Sequence, residues 1–368
     1  MSRLPLLICV LLSAVYPELS ARAATIHCVT DEAQLRAALA ALGGFASGDH
    51  EIRLVRRVYF NGTQQFSTLL GTNVNDLRLS GGWDSGCTAQ VLDARATAID
   101  AQGLSAVLSI GRNSAIVGAT PLISISNLTL RNGTAANAPV GLHVYNGFGS
   151  IEVDDVIVHG HRATASSYLG GTAITLDSTR HDIRLRNALV YDNEGVFIAG
   201  TWALVDVLFT SMALNPDRQF AVTNTTIDAG TGAQDLALRL QSDGHFDLFN
   251  NVIRGEARFD MTITGAGAAT APRIRRVFNH MPIPVSNGVP VVDLETGNST
   301  ADPQLDPASF EPLPGSPVVN TGLGNPPGGQ STTDVYGRPR LAFTYIDRGA
   351  VEAQTYVPTV RVFGDGFE

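Results

Sequence analysis

The sequence contains no lysine, and all 25 basic residues among its 368 are arginine. The absence of lysine excludes Schiff-base chemistry, a phosphate-binding P-loop and a lysine general base. Charge and aromatic rings are also sparse, at 16% and 7% of residues, and the net charge is −9. Nucleic acids and anionic membranes are bound by basic surfaces, so this acidic chain is not expected to bind either.

Long hydrophobic runs are scarce, and the one at the N-terminus is too short to cross a bilayer. Residues 4–16 are largely apolar, Arg3 precedes them, and residues 21–23 have the small-x-small pattern of a cleavage site. This pattern indicates a signal peptide over residues 1–23. We expect the mature chain to be exported and to contain no transmembrane segment.

Cysteine is rare as well, with three residues in the whole chain. Cys9 lies in the signal peptide, which leaves Cys28 and Cys87. In an oxidising compartment these two would form one disulfide, closing a loop of about 60 residues and stabilising the fold by roughly 4 kcal/mol. Two free thiols or part of a metal site remain the alternative, although no C-x-x-C pair or histidine cluster accompanies them, and no metal site is predicted.

The middle of the chain repeats one phrase: two short alternating apolar runs divided by Asn or Asp and closed by Gly, Asp or Asn. Spacings of 18 to 32 residues between the dividing polar residues are typical of a solenoid with variable insertions. We expect these residues to form a structural Asn/Asp ladder, because their side chains bond backbone groups that a bend leaves unpaired. The dividing residues are Asn127, Asp155, Asn187, Asp206, Asn224 and Asn250.

A further strand-like run precedes most phrases, at residues 141–146, 173–178, 196–200 and 236–241. Three strands per turn predict an all-β fold, a single-stranded right-handed parallel β-helix. Alternate side chains of each strand would point inward and stack on their equivalents about 4.8 Å away in the next turn.

A helical pattern occurs only near the start of the mature chain. Leu35, Leu39 and Leu42 share one helical face, and Thr30 or Asp31 is suited to the N-cap. We expect a short helix that covers the exposed N-terminal edge of the β-helix. The predicted layout is residues 24–50 for the N-terminal strand and capping helix, 51–300 for the β-helix, 301–353 for a C-terminal region and 354–368 for a flexible tail.

Specific motifs resemble a known family at both ends. The segment VTDEAQLRAAL and the turn GGWDSGC resemble the start of bacterial secreted right-handed β-helix proteins of the pectin-lyase-like superfamily. ADPQL, LPGSPVVNTG, TDVYGRPR and YIDRGAVE, within residues 301–353, resemble the region called choice-of-anchor Q, from which Asn320 and Arg348 depart.

The final residues are similar to the F-x-D-G-F-E endings of exported proteins from some Gram-negative bacteria. The two resemblances together imply a secreted or cell-surface protein exported from such a bacterium.

Candidate chemistry lies on two neighbouring repeats. Glu152 and Asp154 should point outward, with Arg184 and Arg186 at the equivalent positions of the next repeat. These residues are weak candidates for an acid, a base or a polyanion site, and a surface ladder of ion pairs is the alternative.

His159 is a further weak candidate, because its surroundings are similar to the D-D and G-H-G motifs of polygalacturonases. The N-T-D and R-I-K motifs of those enzymes are missing, so no catalytic residue is assigned.

We therefore expect a monomeric binding or structural module whose partner is a polysaccharide or surface glycan, working without a cofactor. One alternative is a polysaccharide lyase or glycoside hydrolase acting on an acidic polysaccharide, for which the resemblance implies calcium as a cofactor if the enzyme is a lyase. Another is an adhesin-like surface protein. An enzyme would present aligned acids and arginines in a groove, whereas a scaffold would show paired charges.

Overall fold

The computed structural model describes residues 23–116, 119–136, 139–165, 171–179, 181–195, 204–210, 219–229, 235–241, 245–260, 273–283, 285–287 and 292–355. Nearly all of the predicted signal peptide (residues 1–22) and of the predicted tail (residues 356–368) lies outside these ranges. The strand expected at residues 196–200 does too.

The described residues form one α-helix and 26 strands. The first half of the chain contains α1 (Glu32–Gly43), β1 (Thr25–Val29), β2 (Gly48–Val55), β3 (Val58–Phe60), β4 (Phe66–Leu69), β5 (Val74–Trp83), β6 (Ala98–Asp100), β7 (Leu108–Arg112), β8 (Leu122–Arg131), β9 (Thr134–Ala136), β10 (Leu142–Asn146), β11 (Ser150–His159), β12 (Arg162–Ala165) and β13 (Thr172–Asp177). The second half contains β14 (Ile183–Arg186), β15 (Leu189–Tyr191), β16 (Glu194–Gly195), β17 (Leu204–Thr210), β18 (Gln219–Thr223), β19 (Thr226–Asp228), β20 (Asp235–Gln241), β21 (His245–Phe249), β22 (Val252–Arg254), β23 (Glu256–Asp260), β24 (Arg273–Val277), β25 (Val285–Asn287) and β26 (Val292–Thr296).

These strands stack in parallel into the faces of a β-helix. The long sheet has the order β1-β2-β5-β8-β11-β14-β18-β21-β24-β26, and a second sheet has the order β4-β7-β10-β13-β17-β20-β23-β25. A third, small sheet contains β9, β12 and β16. Short strands (β6, β15, β19, β22 and the second halves of β8 and β11) continue the long sheet beyond a bend. The prediction of an all-β parallel β-helix is confirmed.

The capping helix forms because its sequence satisfies both its start and its buried face. The Asp31 side chain accepts a hydrogen bond from the Gln34 amide at 2.8 Å, which is N-cap geometry. Leu35, Leu39 and Leu42 are buried in the same core cluster as the first strands of the β-helix. The short N-terminal helix predicted from the sequence is confirmed.

The disulfide joins Cys28 of β1 to Cys87 in the turn that follows β5, with the Cα atoms 5.7 Å apart. Arg53 of β2 is the register partner of Cys28 in the sheet. Its guanidinium donates a hydrogen bond to the Cys87 carbonyl at 2.8 Å. The bridge therefore ties the first strand to the first full turn.

Inward side chains stack along the helix axis. Ile123, Ile151 and Ile183 occupy equivalent positions of β8, β11 and β14, and all three are fully buried. Phe220 and Phe246 continue this row, with ring centroids 5.0 Å apart. A single apolar core thus follows the axis from the capping helix to the last turns.

A row of left-handed residues makes the bend between the long sheet and the short strands. We call it the corner row, and its φ values lie between 49° and 67°. Within it, the Asn187 amide donates to the Asp155 carboxylate, and the Asn250 amide donates to Asn224 at 3.0 Å. The row consists of Asn127, Asp155, Asn187, Asn224, Asn250, Phe278 and Gly297.

Asp206 does not belong to the corner row, and its assignment to the ladder was wrong. It lies inside β17, a straight strand of the second sheet that pairs with β13 and β20. Asn187 and Asn224 are equivalent positions of adjacent turns, because β14 pairs directly with β18, so Asp206 lies within that turn and not at its bend. The phrase around it therefore supplies the strand of another face.

The described residues between 258 and 300 continue the β-helix. β24 and β26 extend the long sheet and β25 extends the second sheet. Inside the corner, Asn251, Asn279 and Asn298 form a second amide ladder, each bonded to its neighbour in the next turn. These positions follow the corner row by one residue.

The C-terminal residues have a different structure. Residues 301–355 contain isolated bridges but no named helix or strand, and we call this segment the strap. It lies along the outer side of the short strands, where Ile157 and Leu189 pack in one cluster with Phe310, Val335 and Val351.

Candidate functional site

The four residues predicted on the long sheet do come together. Glu152 pairs in register with Arg184, and Asp154 with Arg186, because β11 and β14 are neighbours. The Arg184 guanidinium lies 3.1 Å from the Glu152 carboxylate, and Arg186 donates two hydrogen bonds of 2.9 Å to Asp154. Each charge therefore has an opposite charge beside it.

The inner of these two pairs is covered by the strap. A Cβ at Gly329 would lie 2.5 Å from the Arg186 guanidinium, so the strap backbone passes directly against it. Burial raises the pKa of Asp154 to about 6, although Arg186 opposes the shift. Burial lowers the pKa of Arg186, but Asp154 outweighs this and the pKa is raised, so Arg186 keeps its proton and cannot act as a base.

His159 lies elsewhere, on the outward side of the short strands. It belongs to a set of residues in register from turn to turn, at the end of each short strand, which we call the edge column. The column follows the margin of the strap because the preceding outward residues, such as Ile157 and Leu189, are under it. Its members are Asp100, Arg131, His159, Tyr191, Asp228 and Arg254.

The edge column alternates ion pairs with a ring stack. Arg131 lies 2.8 Å from Asp100, and Arg254 lies 3.0 Å from Asp228. Between these pairs, the His159 and Tyr191 rings stack at 4.8 Å with 2° between their planes. Burial lowers the pKa of His159 and raises that of Tyr191, so both rings are neutral near pH 7.

A cavity of about 470 Å³ opens where the column meets the strap. The β-helix contributes Asp192, Asn193 and Glu194 to the lining of this cavity. The strap contributes Phe310, whose ring centroid is 4.7 Å from that of Tyr191. Asp192 and Glu194 are exposed to solvent. Carboxylates, an amide and a phenol thus line one concave surface.

Two further cavities lie beside the edge column in other turns of the β-helix. One of about 430 Å³ is lined by Gln102, Asn132 and Arg162, in the turns before the middle cavity. The other, of about 640 Å³, is lined by Arg254, Glu256 and Asp302, in the turns after it. The linings come from eight successive turns, so at about 4.8 Å per turn the three cavities together span about 34 Å along the axis.

This arrangement suits a long ligand rich in hydroxyl groups. Carboxylates and amides accept or donate hydrogen bonds in planes that match vicinal hydroxyls, and arginine adds fixed donors. The exposed pair of Arg162 and Glu194, at 2.7 Å, joins the first and middle cavities. An exposed pair of this kind is weak and can exchange partners.

The sequence interpretation missed most of these residues. Tyr191, Asp192 and Asp228 occur at the ends of the repeated phrases, where polar residues were interpreted as turn punctuation alone. The available signal was Tyr191, an aromatic residue directly before the Asp192-Asn193 pair that closes its phrase, which could have indicated a binding surface. Phe310 gave no signal, because it lies more than 100 residues away in a segment without periodicity.

In the described part of the chain, no group of three or more His, Cys, Asp or Glu side chains is placed to hold a metal ion. Its single helix is neither long nor apolar enough to cross a membrane. Comparison with protein-family models and with curated protein sequences returned no match for the chain.

Proposed function

We propose that the protein binds a polysaccharide or surface glycan along the edge column, as a binding module without catalytic activity. The observation that carries this proposal is the alignment, over successive turns, of three cavities beyond the ends of the short strands, each lined by charged side chains. A linear chain of sugars offers a hydroxyl-rich surface at regular intervals, as a solenoid offers binding groups at regular intervals.

We further propose an exported protein related to the secreted β-helix proteins of the pectin-lyase-like superfamily, with a choice-of-anchor Q region. The confirmed β-helix supports this view, and so do the C-terminal motifs. TDVYGRPR and YIDRGAVE supply Asp334, Arg338, Arg340, Asp347 and Glu352 to one buried network. The disulfide is consistent with an oxidising compartment.

Binding is tested by titrating the mature full chain with neutral and uronate-containing polysaccharides in a calorimeter. The test variant is Asp192→Gly with Glu194→Ala, since glycine accepts the left-handed φ of 53° at residue 192. Losing two hydrogen-bonding groups should weaken binding by about tenfold or more. Glu152→Ala with Arg184→Ala, on the long sheet, is the matched control and should bind normally.

The same titrations test the enzymatic alternative. A lyase would release unsaturated uronates and a hydrolase would release new reducing ends, with or without calcium. Either product, released by the wild type, would overturn a non-catalytic module. Normal binding by the cavity variant would instead remove the edge column from the proposal.

A further inference from the structure

The strap forms one wall of two of the three cavities. Phe310 and Pro307 close the middle cavity opposite Asp192 and Glu194. Asp302 and Pro303 close the last cavity opposite Arg254. A ligand in either cavity therefore contacts the β-helix and the strap together, and the position of the strap determines the shape of the site.

Specific hydrogen bonds hold the strap to the corner row. Asn250 donates to the Leu323 carbonyl at 2.8 Å and accepts from the Leu323 amide at 2.7 Å. The Asn187 amide donates to the Thr333 carbonyl at 3.0 Å, and the buried Arg340 guanidinium donates to the Asn187 side-chain oxygen. Asn187 and Asn250 thus anchor the strap from two different turns of the corner row.

Beneath these contacts lies a group of buried carboxylates. Asp334, Asp347 and Glu352 are each at most 1% exposed. The Asp347 amide donates to the Glu352 carboxylate at 3.1 Å, and the Glu352 amide donates to Asp334 at 3.1 Å. Arg340, also buried, is 3.6 Å from Glu352. We call these three acids the strap carboxylates.

The charges around Glu352 are predominantly negative. Arg340 and Arg338 are the cations nearest to the strap carboxylates, and Arg338 also pairs with Glu311 at 2.7 Å. Asp155 of β11 faces Arg340 from the β-helix. Burial, and then the charge of Asp347, raise the pKa of Glu352 to about 8. The facing groups are Asp347, Asp334, Arg340 and Arg338 of the strap, Glu311 beside Asp347, and Asp155 of the β-helix.

We propose that protonation controls how the strap docks beside the glycan site. Ionisation of Glu352 loosens the strap from the corner row and weakens glycan binding. This inference rests on the proposed function. It adds a regulator to the site, located at the buried interface rather than among the groups that contact the ligand.

The direction of the effect follows from the proton balance. Because the pKa of Glu352 is raised from 4.5 to about 8 in the docked strap, docking is favoured at low pH and loses stability as the pH rises through this interval. Burial and then Arg348 lower the pKa of His280 to about 4, which has the opposite effect below pH 6.5. A range of pH 6.5 to 9 therefore avoids the titration of His280, and the Glu352→Gln variant identifies the contribution of Glu352.

The experiment measures two quantities on the mature full chain over this range. Hydrogen exchange, corrected for the intrinsic rate, reports strap docking through peptides of residues 333–352, with peptides of residues 172–177 in the second sheet as the internal control. Calorimetry with a neutral polysaccharide reports affinity, and a neutral ligand has no titration of its own. The variants are Glu352→Gln and, as a control, Glu295→Gln, whose side chain is 53% exposed.

We expect strap protection to fall with pH in the wild type and in Glu295→Gln, with affinity falling about fivefold in parallel. Glu352→Gln should keep both constant. Strap protection unchanged up to pH 9 in the wild type would overturn the inference, and so would a loosened strap with unchanged affinity. Absence of binding at any pH would instead refute the proposed function, while the exchange data would still decide whether the strap responds to protons.

Discussion

The β-helix and the strap lie against each other but are stabilised by different interactions. In the β-helix, each turn repeats the same contacts with its neighbours: stacked apolar side chains inside and hydrogen-bonded strands around them. In the strap, no contact repeats. It is held by single hydrogen bonds to the corner row, one apolar cluster and the buried charges around Arg340.

The difference teaches where each part is vulnerable. Stability of a solenoid is close to a sum of terms from neighbouring turns, so damage in the β-helix should spread to adjacent turns and lower global stability. A buried ionic network fails as a unit, since removing one partner leaves the others charged and unpaired. Damage in the strap should therefore free the strap and leave the β-helix folded.

The largest expected effect is in the β-helix. Phe220 is fully buried against Phe246, and the ring of Phe209 meets it edge-on at 6.4 Å. Phe220→Ala should lower the free energy of unfolding by about 4 kcal/mol, measured by urea denaturation, because it opens a cavity in the core. Phe45→Ala is the control, since Phe45 is exposed and should change stability by less than about 0.5 kcal/mol.

The next effect should be confined to the strap. Arg340→Ala leaves Glu352, Asp347 and Asp334 buried without their central cation, and should lower the free energy of strap release by about 3 kcal/mol. Native-state hydrogen exchange measures this separately from global unfolding. Arg338→Ala, at a residue 26% exposed, should show a smaller loss. Global unfolding caused by Arg340→Ala would contradict the separation of the two regions.

The smallest effect sharpens the boundary between them. Asn250→Gly keeps the left-handed backbone and removes two hydrogen bonds to Leu323, at about 1 kcal/mol each, so strap protection should fall. Asn127→Gly is the matched control, because its amide bonds Gly81 and Val91 inside the β-helix body. It should lower stability there and leave strap protection unchanged. Unchanged strap protection in both variants would show that the corner row acts only within the β-helix.

Sequence alone predicted the parts of the fold that repeat. Asn127 and Asn250 were identified because a polar residue divides each repeated phrase and can bond the backbone groups that a bend leaves unpaired, and the alternating phrases around them gave the inward faces. Phe278 takes the same bend with φ of 55°, but a phenylalanine carries no turn signal, so its place in the row is visible only in the structure. Asp206 shows the converse, a residue with the right chemistry that lies within the single turn between Asn187 and Asn224.

The candidate site was less predictable, since it depends on contacts between distant segments. The register of Glu152 with Arg184 followed from the repeat, but coverage of the neighbouring pair by Gly329 did not. Likewise, the cavity beside Tyr191 exists only because Phe310 arrives from the strap. Periodicity defines where an outward residue points, and not what lies against it.

The reach of the strap has a consequence for assembly. Its Val335 carbonyl accepts a hydrogen bond from Ala94 at 3.1 Å, near the first turn, and Arg348 donates to the Asn279 carbonyl at 3.0 Å, near the last. Full docking therefore requires every turn between these points to be present and in register. Because the strap follows those turns in the chain, its docking depends on their number and register. A β-helix with a turn missing or slipped would leave part of the strap, and its apolar residues, without a partner.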